Sequence, residues 1–263
     1  MLSGFRVVLS HPLFPGNLGS VARACANFGV TDVVLVNAEC SPTDIDALRY
    51  ASGAPSKEVL ASMKTAPSVA AAIADCQLAI AFARKENRPP RARDYSAAAW
   101  ETLESALRGG STGCKVALVF GKEDHGLPDE DIAVCSFECM IESADIHPTL
   151  NLSHAVAVVL HTLTREAPDW SRKQKQATTT RWVSSEAIEP EDAPARLEDI
   201  ETTIAHWRRL LVDAGITTGN NPDQLLAPMA AVVRRAALTQ RDVGYFRAFF
   251  SKLQNAISVK RSS

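Results

Sequence analysis

Apolar positions along this chain follow two rhythms. Runs over residues 5–9, 32–36, 77–83 and 115–120 are short, largely apolar and bounded by polar or glycine-containing loops. Such runs predict strands covered on both faces, as in a parallel sheet. Between them the spacing becomes helical. Leu18, Val21, Ala22, Cys25 and Phe28 share one face of a segment that Asn17 could cap at its start and that Gly29 closes.

The same criteria predict helices over residues 44–52, 69–74, 96–107, 129–134 and 150–164, a turn at Gly109-Gly110-Ser111 and a last strand over 137–141. Strands and helices alternate, so residues 1–167 are expected to form an α/β domain on a parallel sheet. Residues 168–196 break the pattern with Ser, Thr, Gln, Lys, Glu and the prolines 168, 190 and 194, the composition of a linker. Residues 197–263 return to helical spacing in three segments. One carries Leu197, Ile200, Ile204, Trp207 and Leu211, stopped by Gly215. The second starts at Pro222 and carries Leu225, Leu226, Met229, Val232 and Val233. The third opens on Thr239 and Asp242 as a capping box and carries Val243, Phe246, Phe250, Leu253 and Ile257.

Charge changes the picture only when divided. The net charge is −2. Residues 1–170 carry 14 Lys/Arg against 20 Asp/Glu, and residues 171–263 carry 14 against 10. A basic appendage on an acidic body suits either a polyanionic partner or a solvated helical face. No apolar run approaches the roughly 20 residues of a membrane span, and the N-terminus lacks the pattern of a leader, so a cytoplasmic protein is expected. The six cysteines form no CxxC pair and several lie in apolar runs, which favours buried thiols over disulfides or zinc.

Familiar chemical motifs are missing. GxGxxG, GxxxxGK[ST] and GxSxG do not occur, which disfavours nicotinamide cofactors, ATP and serine hydrolysis. His147, His154 and His161 recur every seven residues, but that spacing drifts around a helix and brings no acidic partner, so no metal site is expected. Asn17, Arg23, Glu123 and Asn151 stand at or near loop–helix junctions. Singly they suit caps, a surface arginine and a loop carboxylate.

Together with their neighbours they carry more. The runs Pro15-Gly16-Asn17-Leu18-Gly19-Ser20-Val21-Ala22-Arg23-Ala24, Phe120-Gly121-Lys122-Glu123-Asp124-His125-Gly126-Leu127 and Thr149-Leu150-Asn151-Leu152-Ser153-His154-Ala155 resemble, in order and separation, the three motifs of the SpoU branch of the SPOUT methyltransferases. Lys122 stands where that family usually has Arg, and Thr149 where it has Ser. The tail, with Asn221-Pro222 and Arg234-Arg235-Ala236-Ala237-Leu238-Thr239, resembles the extension of TrmJ-type tRNA 2'-O-methyltransferases.

The resemblance implies a parallel sheet with a deep C-terminal trefoil knot plus a small helical extension. It implies S-adenosylmethionine as cofactor, bound by Leu118, Val119, Phe120 and Gly121, by Gly126, by Ile141, Ser143 and Ile146, and by Leu150 and Leu152. It also implies tRNA as partner and a homodimer whose active sites draw on both subunits. Arg23, Asn17, Glu123 and Asn151 become the catalytic set. Arg23 is assigned to the ribose 2'-oxygen, Asn17 to positioning, Glu123 to orienting Arg23 or RNA contacts, and Asn151 to capping the last helix. A guanidinium stays protonated, so Arg23 is expected to act by electrostatics, with the proton leaving to phosphate oxygen, water or a transiently neutral guanidine. Arg84, Lys85, Arg88, Arg91, Arg93, Lys122, Arg234 and Arg235 are expected to contact RNA. The expected target is the first, pyrimidine, nucleotide of the anticodon loop. Another tRNA position, ribosomal RNA, or a non-catalytic RNA-binding role are the alternatives.

Overall fold

The computed structural model describes residues 2, 4–83, 115–144, 146–147, 149–177, 190–216, 222–236 and 238–262. The apolar runs become the strands they predict: β1 (Phe5–Ser10), β2 (Asp32–Val36), β4 (Leu78–Phe82) and β5 (Val116–Phe120). With β3 (Lys64–Ala66) and β6 (Phe137–Cys139) they form a six-stranded sheet, order β3-β2-β1-β5-β4-β6, in which every pairing is parallel. Register sorts the side chains. Val7, Leu9, Leu118 and Phe120 face a first layer, whereas Val8 lies beside Val34 and Val119, and all three face a second.

On the first face pack α1 (Pro15–Phe28), α2 (Ile45–Tyr50), α3 (Ala54–Ala61) and α6 (Leu152–Ala177). On the second lie α4 (Val69–Ile73) and α5 (Asp129–Ala133). The strand residues there include the small Ala79, Ala81 and Ala117, so covering elements can approach closely. The C-terminal helices α7 (Leu197–Asp213), α8 (Pro222–Arg235) and α9 (Gln240–Ser262) complete that face: Leu197, Ile200, Ile204, Leu226, Ala230 and Val243 join the same buried cluster as Val8 and Val119. Backbone bonds fix the junction, Leu197 N–H to Cys76 O at 2.9 Å and Glu198 N–H to Ala74 O at 3.1 Å.

An ionic cluster closes the end of the sheet opposite the strand C-termini. Arg6, buried, donates to Asp32 at 2.8 Å, to Asp75 at 2.5 and 3.1 Å, and to Ala72 O at 2.7 Å; Lys115 and Lys64 complete the pairing. Burial pushes the Asp75 carboxyl up, but its hydrogen bonds to Arg6 and Lys115 more than offset this and hold it down to about 2.

Several expectations are corrected. Helix α1 starts at Pro15 with Phe14 as N-cap, so Asn17 lies inside the first turn and caps nothing. Helix α6 starts at Leu152 and continues through Pro168 to Ala177, into the stretch expected as linker. Strand β6 ends at Cys139, which frees Met140 and Ile141. Met229, Val232 and Leu253, expected inside, are 45, 56 and 39% exposed. Helix α3 and edge strand β3 carry no periodic signal strong enough to be expected. The expected helix 96–107 and the turn at Gly109 lie outside the described residues. Other signals hold: Gly29 closes α1, Asn151 caps α6 by accepting from Ser153 N–H at 2.9 Å, and Thr239 and Asp242 exchange capping-box bonds. Cys25, Cys76, Cys135 and Cys139 are buried thiols outside any disulfide, and burial pushes Cys25 and Cys76 up to about 12.

Candidate active site

Strands β1, β2 and β5 run in parallel, so the loops after all three open at one edge of the sheet, where α/β proteins bind ligands. Strand β5 ends in Phe120, and the chain doubles back at once: Lys122 and Gly126 exchange backbone bonds at 3.1 and 2.8 Å. The turn needs its glycines. A Cβ on Gly121 would stand 2.2 Å from the Gly126 carbonyl carbon, and Gly126 has φ 69°.

This hairpin walls an open cavity of about 320 Å³. Phe82 and Phe120, neighbours across β4 and β5, stack at 4.8 Å and 10° at its floor. Ile141, Leu150, Leu152 and Ala155 add apolar wall, while Lys122, Glu123 and Asp124 bring charge to the rim. An apolar slot with a polar rim, near the lower end of small-molecule sites in volume, suits a nucleoside-sized ligand.

Glu123 joins the cavity to α1. Its Oε2 accepts from Leu13 N–H at 3.0 Å, and its Oε1 accepts from Asn17 Nδ2 at 2.6 Å and from Phe14 N–H at 3.4 Å. These are the amides at the N-terminus of α1, where a carboxylate is also favoured by the helix dipole. Asn17 Oδ1 in turn accepts from Asn151 Nδ2 at 3.1 Å, and Asn151 Oδ1 accepts from Ser153 N–H and Oγ. The amide orientations are self-consistent, because a carboxylate can only accept. Three segments far apart in sequence are thereby locked into one polar frame.

Arg23 is not in that frame. It is exposed and makes no hydrogen bond or ion pair with a described residue. Six residues of helix separate it from Asn17 by roughly 9 Å along the axis and about 120° around it. Within one chain Asn17, Glu123 and Asn151 meet and Arg23 faces elsewhere.

Of the residues expected at the cofactor, Phe120, Gly121, Gly126, Ile141, Leu150 and Leu152 line the cavity. Leu118 and Val119 are fully buried within β5 on opposite faces, Ser143 lies outside the lining, and Ile146 is 95% exposed. Phe82, Met140, His125 and Ala155 line the cavity without having been expected there. For Phe82 and Met140 the position follows from β4 lying between β5 and β6, which has no local signal.

Of the expected RNA contacts, Arg84, Lys85, Arg88, Arg91 and Arg93 lie outside the described residues. Lys122 pairs with Glu39 at 2.8 Å. Arg234 is spent on Glu201 in a bidentate pair at 2.5 and 2.9 Å, whereas Arg235 is exposed. Arg241 and Arg247 likewise pair with Asp192 and Asp199, so much of the tail's positive charge ties its helices together. Among the described residues no group of three or more His, Cys, Asp or Glu could hold a metal ion. No described helix is long and apolar enough to cross a membrane.

Comparison with known proteins gives the site a context. Residues 4–161 match the SpoU rRNA Methylase family. The whole chain is 30% identical, over 99% of the relative's length, to a protein of Pseudomonas aeruginosa named tRNA (cytidine/uridine/adenosine-2'-O-)-methyltransferase TrmJ. It is 29% identical over 97% of its length, and 98% of the relative's, to the tRNA (cytidine/uridine-2'-O-)-methyltransferase TrmJ of Klebsiella pneumoniae. In fold it is similar to the crystal structure of TrmJ from Z. mobilis, with a TM-score of 0.67, 23% identity and coverage of 95% of this chain and 98% of that one.

Proposed function

The chain belongs to the SpoU rRNA Methylase family, and from that premise we propose that it is an S-adenosylmethionine-dependent tRNA ribose 2'-O-methyltransferase. The observation that carries the choice of tRNA is the extent of similarity. The family match ends at residue 161, but likeness to the named tRNA enzymes runs through the C-terminal helices as well. The proposed target is the first, pyrimidine, nucleotide of the anticodon loop.

The cavity fits the cofactor. The stacked Phe82–Phe120 floor with Ile141 and Leu150 suits an adenine, and the charged rim suits the polar amino acid portion. When bound, S-adenosylmethionine supplies an electrophilic methyl group on a sulfonium. The chain's own residues then have to place a ribose 2'-oxygen in line with that methyl and ease the loss of its proton. Negative charge develops on the 2'-oxygen as its proton departs, which makes it the nucleophile for that methyl. Arg23 stabilises that developing charge and holds the adjacent phosphate, and phosphate oxygen or water takes the proton. Asn17, Glu123 and Asn151 keep the start of α1, the β5 hairpin and the start of α6 in fixed relation, so that acceptor and donor sites stay aligned.

An exposed Arg23 remote from its own chain's frame supports a homodimer in which each Arg23 serves the partner's cavity. The trefoil knot expected of the family and a cytoplasmic location belong to the same proposal. Mass spectrometry of nuclease fragments from tRNA and from ribosomal RNA, each treated with the purified protein and methyl-labelled cofactor, tests it. Label in 2'-O-methylated pyrimidine at the first anticodon-loop nucleotide is expected, and label confined to another nucleotide or to ribosomal RNA would overturn the target.

A further inference from the structure

Lys122 and Glu123 are consecutive, yet they hold different loops. Glu123 holds the loop after β1, and Lys122 holds the loop after β2 through Glu39, Nζ to Oε1 at 2.8 Å. Glu39 is itself anchored, since its N–H donates to Pro12 O at 3.0 Å, so a fixed backbone presents the carboxylate to the ammonium. The contact faces solvent at the cavity rim, with the Lys122 side chain 26% and the Glu39 side chain 51% exposed. The Glu39 hydrogen bond is the main cause that holds the Lys122 ammonium above its ordinary pKa, and Asp124 and Glu123 add to it. An exposed pair of this kind contributes little to fold stability. What it does control is the charge that an approaching anion meets.

A lysine is suited to exchange. Its ammonium is a point charge with three rotatable donors, and it lacks the fixed fork by which an arginine would commit to one carboxylate. Resting on the tRNA methyltransferase reading above, we infer that Glu39 stands in for an RNA phosphate: it neutralises Lys122 in the free protein and yields it to a backbone phosphate when the acceptor strand enters. A backbone phosphate replaces the carboxylate there with equal charge and two anionic oxygens. An RNA that delivers a phosphate to Lys122 restores the ion pair. One that docks out of register gains nothing from the lysine and brings its phosphates against Glu39, so Glu39 acts as a specificity-determining residue through repulsion.

The exchange has a signature in salt dependence. In the wild type Lys122 is paired before and after binding, and the freed carboxylate attracts cations, offsetting part of the release from the phosphate. The contact is therefore less salt-dependent than a phosphate contact made by a free lysine. With Glu39→Gln the ammonium is free beforehand, and the slope of log K against log salt should steepen, by less than the roughly 0.7 to 0.9 of a whole phosphate contact. Affinity at low salt should rise about two- to fivefold.

The test is fluorescence anisotropy of an unmodified tRNA transcript over a series of KCl concentrations, with wild type, Glu39→Gln and the double variant Glu39→Gln/Lys122→Gln. Cofactor affinity is measured on each by calorimetry. Tighter and more salt-dependent binding by Glu39→Gln, reversed in the double variant with cofactor affinity unchanged, is the expected result. An unchanged slope and affinity in Glu39→Gln overturns the inference, as does a fall in its cofactor affinity, which would make Glu39 a strut for the hairpin. A wild type that binds cofactor but no tRNA refutes the tRNA reading itself, and the two failures are thereby distinguished.

Discussion

Asn17 Nδ2 donates to Glu123 Oε1 at 2.6 Å across 106 positions of sequence. Asn17 is 9% exposed, so water cannot readily replace that partner. Glu123→Ala removes the acceptor for Asn17 and for the amides of Leu13 and Phe14 together. A buried polar group left unpaired costs roughly 1–3 kcal/mol, and a loss of that size is expected in guanidinium unfolding. Methyl transfer should fall further than stability explains, because the relative placement of α1 and the hairpin is lost with it. Activity retained at saturating substrates, in a variant that has lost the stability, would confine Glu123 to a structural role.

Arg23 makes no ion pair with a described residue, so its replacement should leave the melting temperature nearly unchanged. Arg23→Lys keeps the charge and loses the planar fork. Turnover is expected to drop by about 100-fold or more, the scale of losing one donor to a developing oxyanion. Single-turnover rates at saturating RNA measure this, and a near-normal rate would remove any requirement for the guanidinium.

The carboxyl of Asp75 is held down to about 2 in the folded protein, below the ordinary carboxylate value of about 3.9. A depressed folded pKa contributes stability that is fully present above the unfolded value and is lost as pH falls through the folded one. Thermal unfolding between about pH 4 and pH 2 should therefore show a falling melting temperature in the wild type. In Asp75→Asn the slope in that window should be shallower and the stability at neutral pH lower. An identical slope would show that other carboxylates dominate acid unfolding.

Ile200 of α7 is 2% exposed and belongs to the cluster on the second face of the sheet. Ile200→Ala should cost roughly 2–5 kcal/mol. Because that cluster includes Val8, Val34 and Val119, sheet and C-terminal helices should unfold in one transition, followed by Trp fluorescence and circular dichroism. Two separated transitions, with only the later helices destabilised, would mean that the packing of α7 on the sheet contributes little.

The sequence by itself determined whatever depends on near neighbours. Continuous apolar runs can satisfy their surroundings only as strands covered on both faces, and β1, β2, β4 and β5 follow. Gly29, Asn151 and the Thr239–Asp242 pair are local stops and starts whose partners lie within four residues. The motif residues were also visible, together with the cavity wall at Phe120, Gly121 and Leu150. Tertiary structure decided what those residues do. Asn17, which by spacing suits a cap, is claimed by a carboxylate on another strand's loop, and Lys122 by Glu39, 83 positions away. Arg234, Arg241 and Arg247 read as positive charge for a partner until Glu201, Asp192 and Asp199 are folded against them. Nor could periodicity reveal that helices written after a linker-like stretch cover the second face of the sheet. A helix's apolar stripe states that it must be buried, and only the sheet's small residues Ala79, Ala81 and Ala117 determine how closely a covering layer can pack there.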